Sequence, residues 1–136
     1  LQQIQHVLDK LKGEFKNVGT VVQAYLYEAE DLIDKYPDLR LRLVKGAYKE
    51  DETIAYQTKE DIDSNYIKII EKRLLNARNY TSIATHDDQI ISHVKQFIPN
   101  IIYIALLIKY LSSEIHKYII PNVHFSIMVI YIYANK

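Results

Sequence analysis

Short apolar runs alternate with helix-like segments along the first 98 residues of this chain. Residues 21–26, 39–44 and 80–85 are rich in strand-forming residues, and the first run is almost continuously apolar, as in a parallel strand covered on both faces. Segments with apolar residues at helical spacing separate these runs. Such alternation predicts an α/β fold with parallel strands and right-handed crossovers, either a doubly wound sheet or a (β/α)8 barrel.

Helices are predicted before, between and after these strands. The apolar stripes of the first, third and fourth helices are Ile4, Val7, Leu8 and Leu11; Ile62, Tyr66, Ile69, Ile70 and Leu74; and Ile90, Ile91, Val94 and Phe97. Asp61 is the expected N-cap of the third helix. The second helix, residues 28–35, begins with acidic residues, ends before Pro37, and places Asp31 and Lys35 at the i,i+4 spacing of an ion pair.

Polar residues cluster where the predicted strands end. Gln23 lies close to the end of the first strand, Arg-Leu-Val-Lys-Gly-Ala-Tyr at residues 42–48 leaves the second, and Thr-His-Asp at residues 85–87 leaves the third. In both candidate folds, ligands bind where strands end and helices begin. We therefore expect a binding site at this edge of the sheet.

Arg42 is the most informative of these residues. It lies among apolar neighbours, and a guanidinium that leaves water costs several kcal/mol unless a partner meets it. We therefore expect Arg42 to be buried, either against a bound anion or cofactor or against a carboxylate such as Glu50. Gln23 has the alternative of a core amide satisfied by backbone, and residues 45–47 that of an ordinary turn, because they lack the spacing of a phosphate loop.

Composition excludes several classes of partner. The 17 basic and 17 acidic residues leave no net charge, so we expect no nucleic acid partner. The chain has no cysteine for disulfides or thiolate metal sites, and His86, Asp87, Asp88 and His93 lack the spacing of a metal-ligand set, so no metal is expected. The longest apolar stretch, residues 101–108, is much shorter than the roughly 20 residues of a membrane-spanning helix.

Three segments together resemble the proline dehydrogenase family. They are Val-Gln-Ala-Tyr-Leu-Tyr at residues 22–27, the segment 42–48, and Ala-Thr-His-Asp at residues 84–87. The resemblance runs from residue 1 to about residue 97 and resumes weakly at residues 113–117. It implies a flavoprotein oxidoreductase on a (β/α)8 (TIM-type) barrel, which oxidises L-proline to Δ1-pyrroline-5-carboxylate by hydride transfer to FAD in proline catabolism. It also implies a quinone-type electron acceptor and a cytoplasmic location, with peripheral attachment to the inner membrane face as a variant.

The resemblance assigns roles to individual residues. Arg42 would have the catalytic role, with its guanidinium against the flavin ring, where a cation stabilises the negative charge of the reduced form. Tyr48 would help to shape the proline pocket. The residues that the family pattern places against FAD are Gln23, Arg42, Lys45, Gly46, Ala47, Thr85 and His86.

The chain departs from the family pattern in its length and in its last residues. A barrel needs roughly 250 residues, so this chain supplies about four to five of the eight βα units. Residues 1–98 are thus expected to form central βα units of the barrel. Residues 99–136 form a divergent segment that includes the strand-prone residues 127–133. We hypothesise that short frameshifts near residues 99–112 and after Pro121 produced this segment.

Two functional classes follow from these observations. The first is an FAD-dependent proline dehydrogenase. The second is a non-catalytic remnant of that enzyme, unable to turn over alone, because the family's paired arginines for the proline carboxylate do not occur in this sequence. A doubly wound nucleotide-binding domain ranks third, since the chain has no Gly-x-Gly-x-x-Gly turn.

Overall fold

Four parallel strands among the described residues form a sheet in the order of the chain, β1-β2-β3-β4. The computed structural model describes residues 2–100 and 130–132. The elements are α1 (Gln2–Glu14), β1 (Gly19–Gln23), α2 (Ala29–Lys35), β2 (Arg40–Val44), α3 (Lys59–Asn76), β3 (Thr81–Ala84), α4 (residues 88–100) and β4 (Ile130–Ile132). The predicted alternation of helix and parallel strand is confirmed.

One face of the sheet is buried under the helices. Val22, Leu43 and Ile83 lie side by side in the register of β1, β2 and β3, and each is almost fully buried. The helical residues that join them in one core are Leu8, Ala29, Leu32, Ile33, Tyr66, Ile69, Ile70, Leu74, Ile90 and Val94. Burial of this apolar surface is the main force that holds the helices on the sheet.

The opposite face of β1, β2 and β3 is not part of this core, and we call it the open face. Its residues are Gly19, Val21, Gln23, Arg40, Arg42, Val44, Ser82 and Ala84. All of them are exposed or half-buried, and Val21 is 48% exposed. The expectation that the first strand is covered on both faces is therefore wrong for the described part of the chain.

The strand boundaries differ slightly from the predicted ones. β1 begins two residues earlier than expected and ends at Gln23, because residues 24 and 25 already form a turn. β4 lies inside the strand-prone residues 127–133 and pairs with β3 in parallel. Apart from β4, the hypothesis of altered reading frames concerns residues that lie outside the described ones.

The helices occur where their apolar stripes predict them, but two local details differ. Thr58, not Asp61, is the N-cap of α3, and its hydroxyl accepts the backbone N–H of Asp61 at 3.1 Å. The expected pair of Asp31 and Lys35 is not formed, because Lys35 extends to Asp9 of α1, with 3.4 Å between Nζ and Oδ2. The prediction considered partners on the same helix only.

Arg73 is a buried arginine that the sequence did not indicate. Its side chain is fully buried, and burial lowers its pKa to about 10. The guanidinium donates to four acceptors at the amino ends of β2 and β3, namely Tyr36 O (3.1 Å), Pro37 O (3.0 Å), Leu39 O (2.6 Å) and Thr81 Oγ1 (3.0 Å). Arg73 therefore ties α3 to the amino edge of the sheet.

Candidate functional site

The predicted site residues do gather at one edge of the sheet. Gln23, Val44 and Ala84 are register partners at the carboxyl ends of β1, β2 and β3. The segments that follow these three strands therefore start side by side, and we call this region the carboxyl edge. Parallel strands deliver their following loops to a single edge, where ligands of α/β proteins bind.

Arg42 lies on the open face, two residues before Val44, the last residue of β2. It is exposed, so the expectation of a guanidinium withdrawn from water is wrong. The strand alternates, and its leucines point into the core while Arg42 points away from it. Among residues 2–100, Arg42 forms no ion pair with Glu50 or any other carboxylate. Within the described part of the chain, Arg42 thus presents an unpaired cation on the open face.

Gln23 is the diagonal neighbour of Arg42 on the same face. Gln23 pairs with Val44, and Val21 pairs with Arg42, so the two polar residues are one step apart across adjacent strands. Gln23 is half-buried, and its side-chain amide has no hydrogen-bond partner among the residues described here. The alternative of a core amide satisfied by backbone does not hold. An amide and a cation therefore lie together on the open face, and neither has a partner among residues 2–100.

Lys45 lies in an ion-pair cluster that joins three elements. Its ammonium contacts Asp63 of α3 and lies 2.7 Å from Oδ2 of Asp87. Lys59 contacts the same Asp63 carboxylate. The Lys45 side chain is 25% exposed; burial opposes its charge, but the two carboxylates outweigh burial and raise its pKa. Lys45 is therefore neutralised by the protein.

The two carboxylates of this cluster are also shifted. Burial disfavours the charge on Asp63, yet Lys45 and Lys59 hold its pKa below the usual value. The hydrogen bond from Lys45 lowers the pKa of Asp87. Oδ1 of Asp63 meets Lys45 as an ion pair rather than through a well-formed hydrogen bond. Both acids thus stay ionised and hold the start of the loop after β2.

Gly46 has a structural requirement of its own. Its φ of 106° lies in the region that side chains rarely adopt. A Cβ at this position would lie 2.0 Å from Cδ1 of Tyr25, so the tight backbone approach is to a tyrosine ring. The next residues, Ala47 and Tyr48, are exposed, and Tyr48 is 75% exposed. Ala47 and Tyr48 are therefore accessible at the carboxyl edge.

Thr85 and His86 lie between β3 and α4. Thr85 is buried, and its hydroxyl accepts the N–H of Asp87 at 3.1 Å. Asp87 caps α4, because Oδ1 accepts the N–H groups of Gln89 (3.0 Å) and Ile90 (3.3 Å). His86 is exposed. No group of three or more potential metal ligands occurs among residues 2–100 and 130–132.

Two buried polar residues of α3 also reach the carboxyl edge, and sequence reasoning missed both roles. The amide of Asn65 donates to Ala24 O at 2.6 Å. The hydroxyl of Tyr66 lies 2.8 Å from Leu43 O and 3.2 Å from Ala84 O. Tyr66 belonged to the predicted core stripe, so its burial is confirmed, but the helical pattern does not indicate what the hydroxyl contacts.

The long loop after β2 packs against the turn after β1. Leu26 and Ala55 form an antiparallel bridge, and the N–H of Tyr56 donates to Tyr25 O at 2.8 Å. The ring of Tyr27 lies edge-on to the ring of Tyr56, with centroids 4.7 Å apart. The long loop after β2 is thus held against the segment that follows β1 at the carboxyl edge.

The fold and this edge define an α/β protein in which parallel strands bring an amide, an arginine and two following loops to one edge of the sheet. A family model described as proline dehydrogenase matches residues 1–101. The chain belongs to the proline dehydrogenase family, as its three segments predicted.

Individual relatives agree with this assignment. The chain is 50% identical over 97 residues to proline dehydrogenase 2 of Bacillus subtilis (strain 168), a match that covers 70% of this chain and 32% of the relative. It is 46% identical over 99 residues to proline dehydrogenase 1 of that strain, covering 71% and 32%. Proline dehydrogenase of Deinococcus radiodurans is 48% identical over 92 residues, covering 65% and 29%. The chain thus spans about a third of the length of the curated relatives it matches.

Proposed function

We propose that this chain contributes central βα units of a (β/α)8 barrel. The sequential, all-parallel strand order supports a barrel, because a doubly wound sheet reverses its strand order and carries helices on both faces. The core on a single face supports it further, since the inner face of a barrel is covered by strands from across the barrel. The division near residue 98 is supported by the family match, which ends at residue 101.

The activity we propose for the complete site is oxidation of L-proline to Δ1-pyrroline-5-carboxylate, with FAD as the hydride acceptor. The observation that carries this proposal is the adjacency of Gln23 and Arg42 on the open face, where neither side chain has a partner among residues 2–100. A flavin ring combines a flat apolar surface with carbonyl and nitrogen acceptors. The amide of Gln23 and the guanidinium of Arg42 fit such a group.

Within this proposal each residue has a physical task. Arg42 places a positive charge where negative charge develops, and Gln23 orients the ring by hydrogen bonding. The rest of the cofactor site would be lined by Ala47, Thr85 and His86. The substrate pocket would be lined by Tyr48. The residues of the turn at 45–46 act through backbone placement, since Lys45 is paired with two carboxylates and Gly46 packs on Tyr25.

Further partners follow from family membership. A quinone-type acceptor would take the electrons, and the protein would work in the cytoplasm or attached to the inner membrane face. The described helices include none with a sufficiently long and apolar stretch to cross a bilayer. On the ground of family membership, we propose peripheral attachment as the form of membrane contact.

A non-catalytic remnant is the second candidate function. It is the reading in which the arginine pair that the family uses for the proline carboxylate, which does not occur in residues 1–136, is not supplied from elsewhere. In this case altered reading frames after residue 99 would have separated the flavin-facing part from the rest of the pocket. Translating the other two frames of the source DNA tests this idea, which fails if no family-like strand or arginine pair is found there.

A cofactor titration separates the two candidates. The full chain is dialysed against FAD, and the amount of retained flavin is measured. The absorbance of the retained flavin is then followed after addition of L-proline, with D-proline as the control. The enzyme reading predicts retained flavin that loses its yellow colour with L-proline only. Arg42→Met should weaken retention about tenfold. Arg78→Met, which removes an exposed arginine at the amino edge, should have no effect. A chain that retains no flavin supports the remnant.

A further inference from the structure

We propose that Asn65 and Tyr66 are positioning residues that fix the carboxyl ends of β1, β2 and β3, and thereby the side chains of Gln23 and Arg42. This inference deepens the proposed function, and its flavin readout rests on that function. The two residues are neighbours in the second turn of α3. They reach three strand ends from one short stretch of helix.

Asn65 controls the end of β1. Its Nδ2 donates to Ala24 O at 2.6 Å, and the residue is 7% exposed, so water does not replace this bond. Ala24 directly follows Gln23. The N–H of Ala24 donates to Val44 O at 2.8 Å. The N–H of Tyr25 donates to Lys45 O at 2.9 Å. Asn65 therefore fixes the turn that begins immediately after Gln23 and its contact with β2.

Tyr66 controls the ends of β2 and β3 together. Its ring is fully buried, and its hydroxyl lies between Leu43 O at 2.8 Å and Ala84 O at 3.2 Å. Leu43 follows Arg42, and Ala84 precedes Thr85. Burial raises the pKa of Tyr66, so the hydroxyl stays protonated and remains a donor at neutral pH. One O–H group thus spans two strand ends beside the predicted site residues.

The same helix provides a matched comparison. Arg73 lies seven residues after Tyr66, about two helical turns away, and also donates from a buried position to backbone carbonyls. Its acceptors lie at the amino edge of the sheet, where no predicted site residue occurs. A general structural role predicts similar effects at both ends of α3, whereas positioning predicts an effect of Asn65 and Tyr66 that Arg73 does not share.

The experiment compares Tyr66→Phe, Asn65→Leu and Arg73→Met in the full chain. Backbone hydrogen exchange is measured at Ala24 and Tyr25, with the N–H of Tyr36, which donates to Leu32 O, as the amino-edge reference. We expect Tyr66→Phe and Asn65→Leu to raise exchange at Ala24 and Tyr25 about tenfold relative to Tyr36. We expect Arg73→Met to raise exchange at Tyr36 instead.

The second readout is FAD retention in equilibrium dialysis. Tyr66→Phe and Asn65→Leu should weaken it about tenfold, and Arg73→Met should leave it unchanged at a temperature where the variants are equally folded. An unchanged exchange ratio in both carboxyl-edge variants overturns the inference. So does faster exchange with unaltered retention, because the edge would then not determine the site. If the unmodified chain retains no FAD, the proposed function fails, and the exchange ratio alone decides the positioning role.

Discussion

Replacing Arg73 by methionine should destabilise the fold, because it removes four hydrogen bonds of a buried side chain at the amino edge. The Tyr36 and Pro37 carbonyls each keep a second donor, the N–H groups of Leu39 (3.3 Å) and Arg78 (3.0 Å). The Leu39 carbonyl and the Thr81 hydroxyl lose the donor that Arg73 supplies. Two buried acceptors left unsatisfied cost about 1–3 kcal/mol each.

Removing a buried charge offsets part of this loss. The lowered pKa of Arg73, about 10, reflects the cost of burying the guanidinium, and methionine does not bear that cost. The free energy of unfolding should therefore fall by about 2–4 kcal/mol. Urea denaturation of the full chain, followed by circular dichroism, measures it.

Two further variants make this prediction specific. Arg78→Met removes an arginine whose side chain is 73% exposed and 3.9 Å from Asp38, so its effect should stay within about 0.5 kcal/mol. Arg73→Lys keeps the charge with fewer donors and should fall between the other two variants. If Arg73→Met is as stable as Arg78→Met, the reasoning from unsatisfied acceptors is refuted.

Three other predictions concern the loops and helix ends. Gly46→Ala should lower the free energy of unfolding by about 1–3 kcal/mol, because the position has a positive φ and the added Cβ would meet the Tyr25 ring. Gly13→Ala adds a Cβ in open space and should be neutral or stabilising. Denaturation curves measure both. Thr58→Ala should cost about 1 kcal/mol through the lost cap of α3, and Thr58→Ser should restore most of it; equal stability of both variants would contradict this. The paired Asp63 and Asp87 have lowered pKa values in the fold, so their contribution is complete above about pH 4 and is lost as pH falls through those values. Lys45→Met should therefore flatten the acid side of the stability curve, and an unchanged slope would exclude the cluster as its cause.

Much of the fold could be predicted because local patterns determine it. Apolar periodicity located the helices and three strands, and the strand ends located the edge where Gln23, Arg42 and Thr85 come together. The resemblance identified the family, and the family model confirmed it. The roles of the individual site residues stay predictions, because they depend on a bound cofactor and on barrel strands other than the four of this sheet.

The error at Arg42 came from a local pattern, whereas the errors at Lys35 and Arg73 came from dependence on distant partners. Arg42 was expected to be buried because its neighbours are apolar, although the period-two pattern of β2 already separates arginines from leucines. Lys35 was assigned a partner on its own helix and found one on α1. Arg73 donates to residues more than thirty positions earlier in the chain, a relation that no local pattern contains.

The alternation of β2 also protects the sheet against mispairing. The strand reads Arg-Leu-Arg-Leu-Val, with the leucines in the core and the arginines on the open face. A slip of one residue against β1 or β3 would exchange the two faces, carry two guanidinium groups into the apolar layer under α3 and leave Leu41 and Leu43 in water. Such a slipped pairing is disfavoured by the buried guanidinium groups and by the exposed leucines. During folding, Arg42, which faces the proposed ligand, would thus also disfavour the wrong alignment of the strand that carries it.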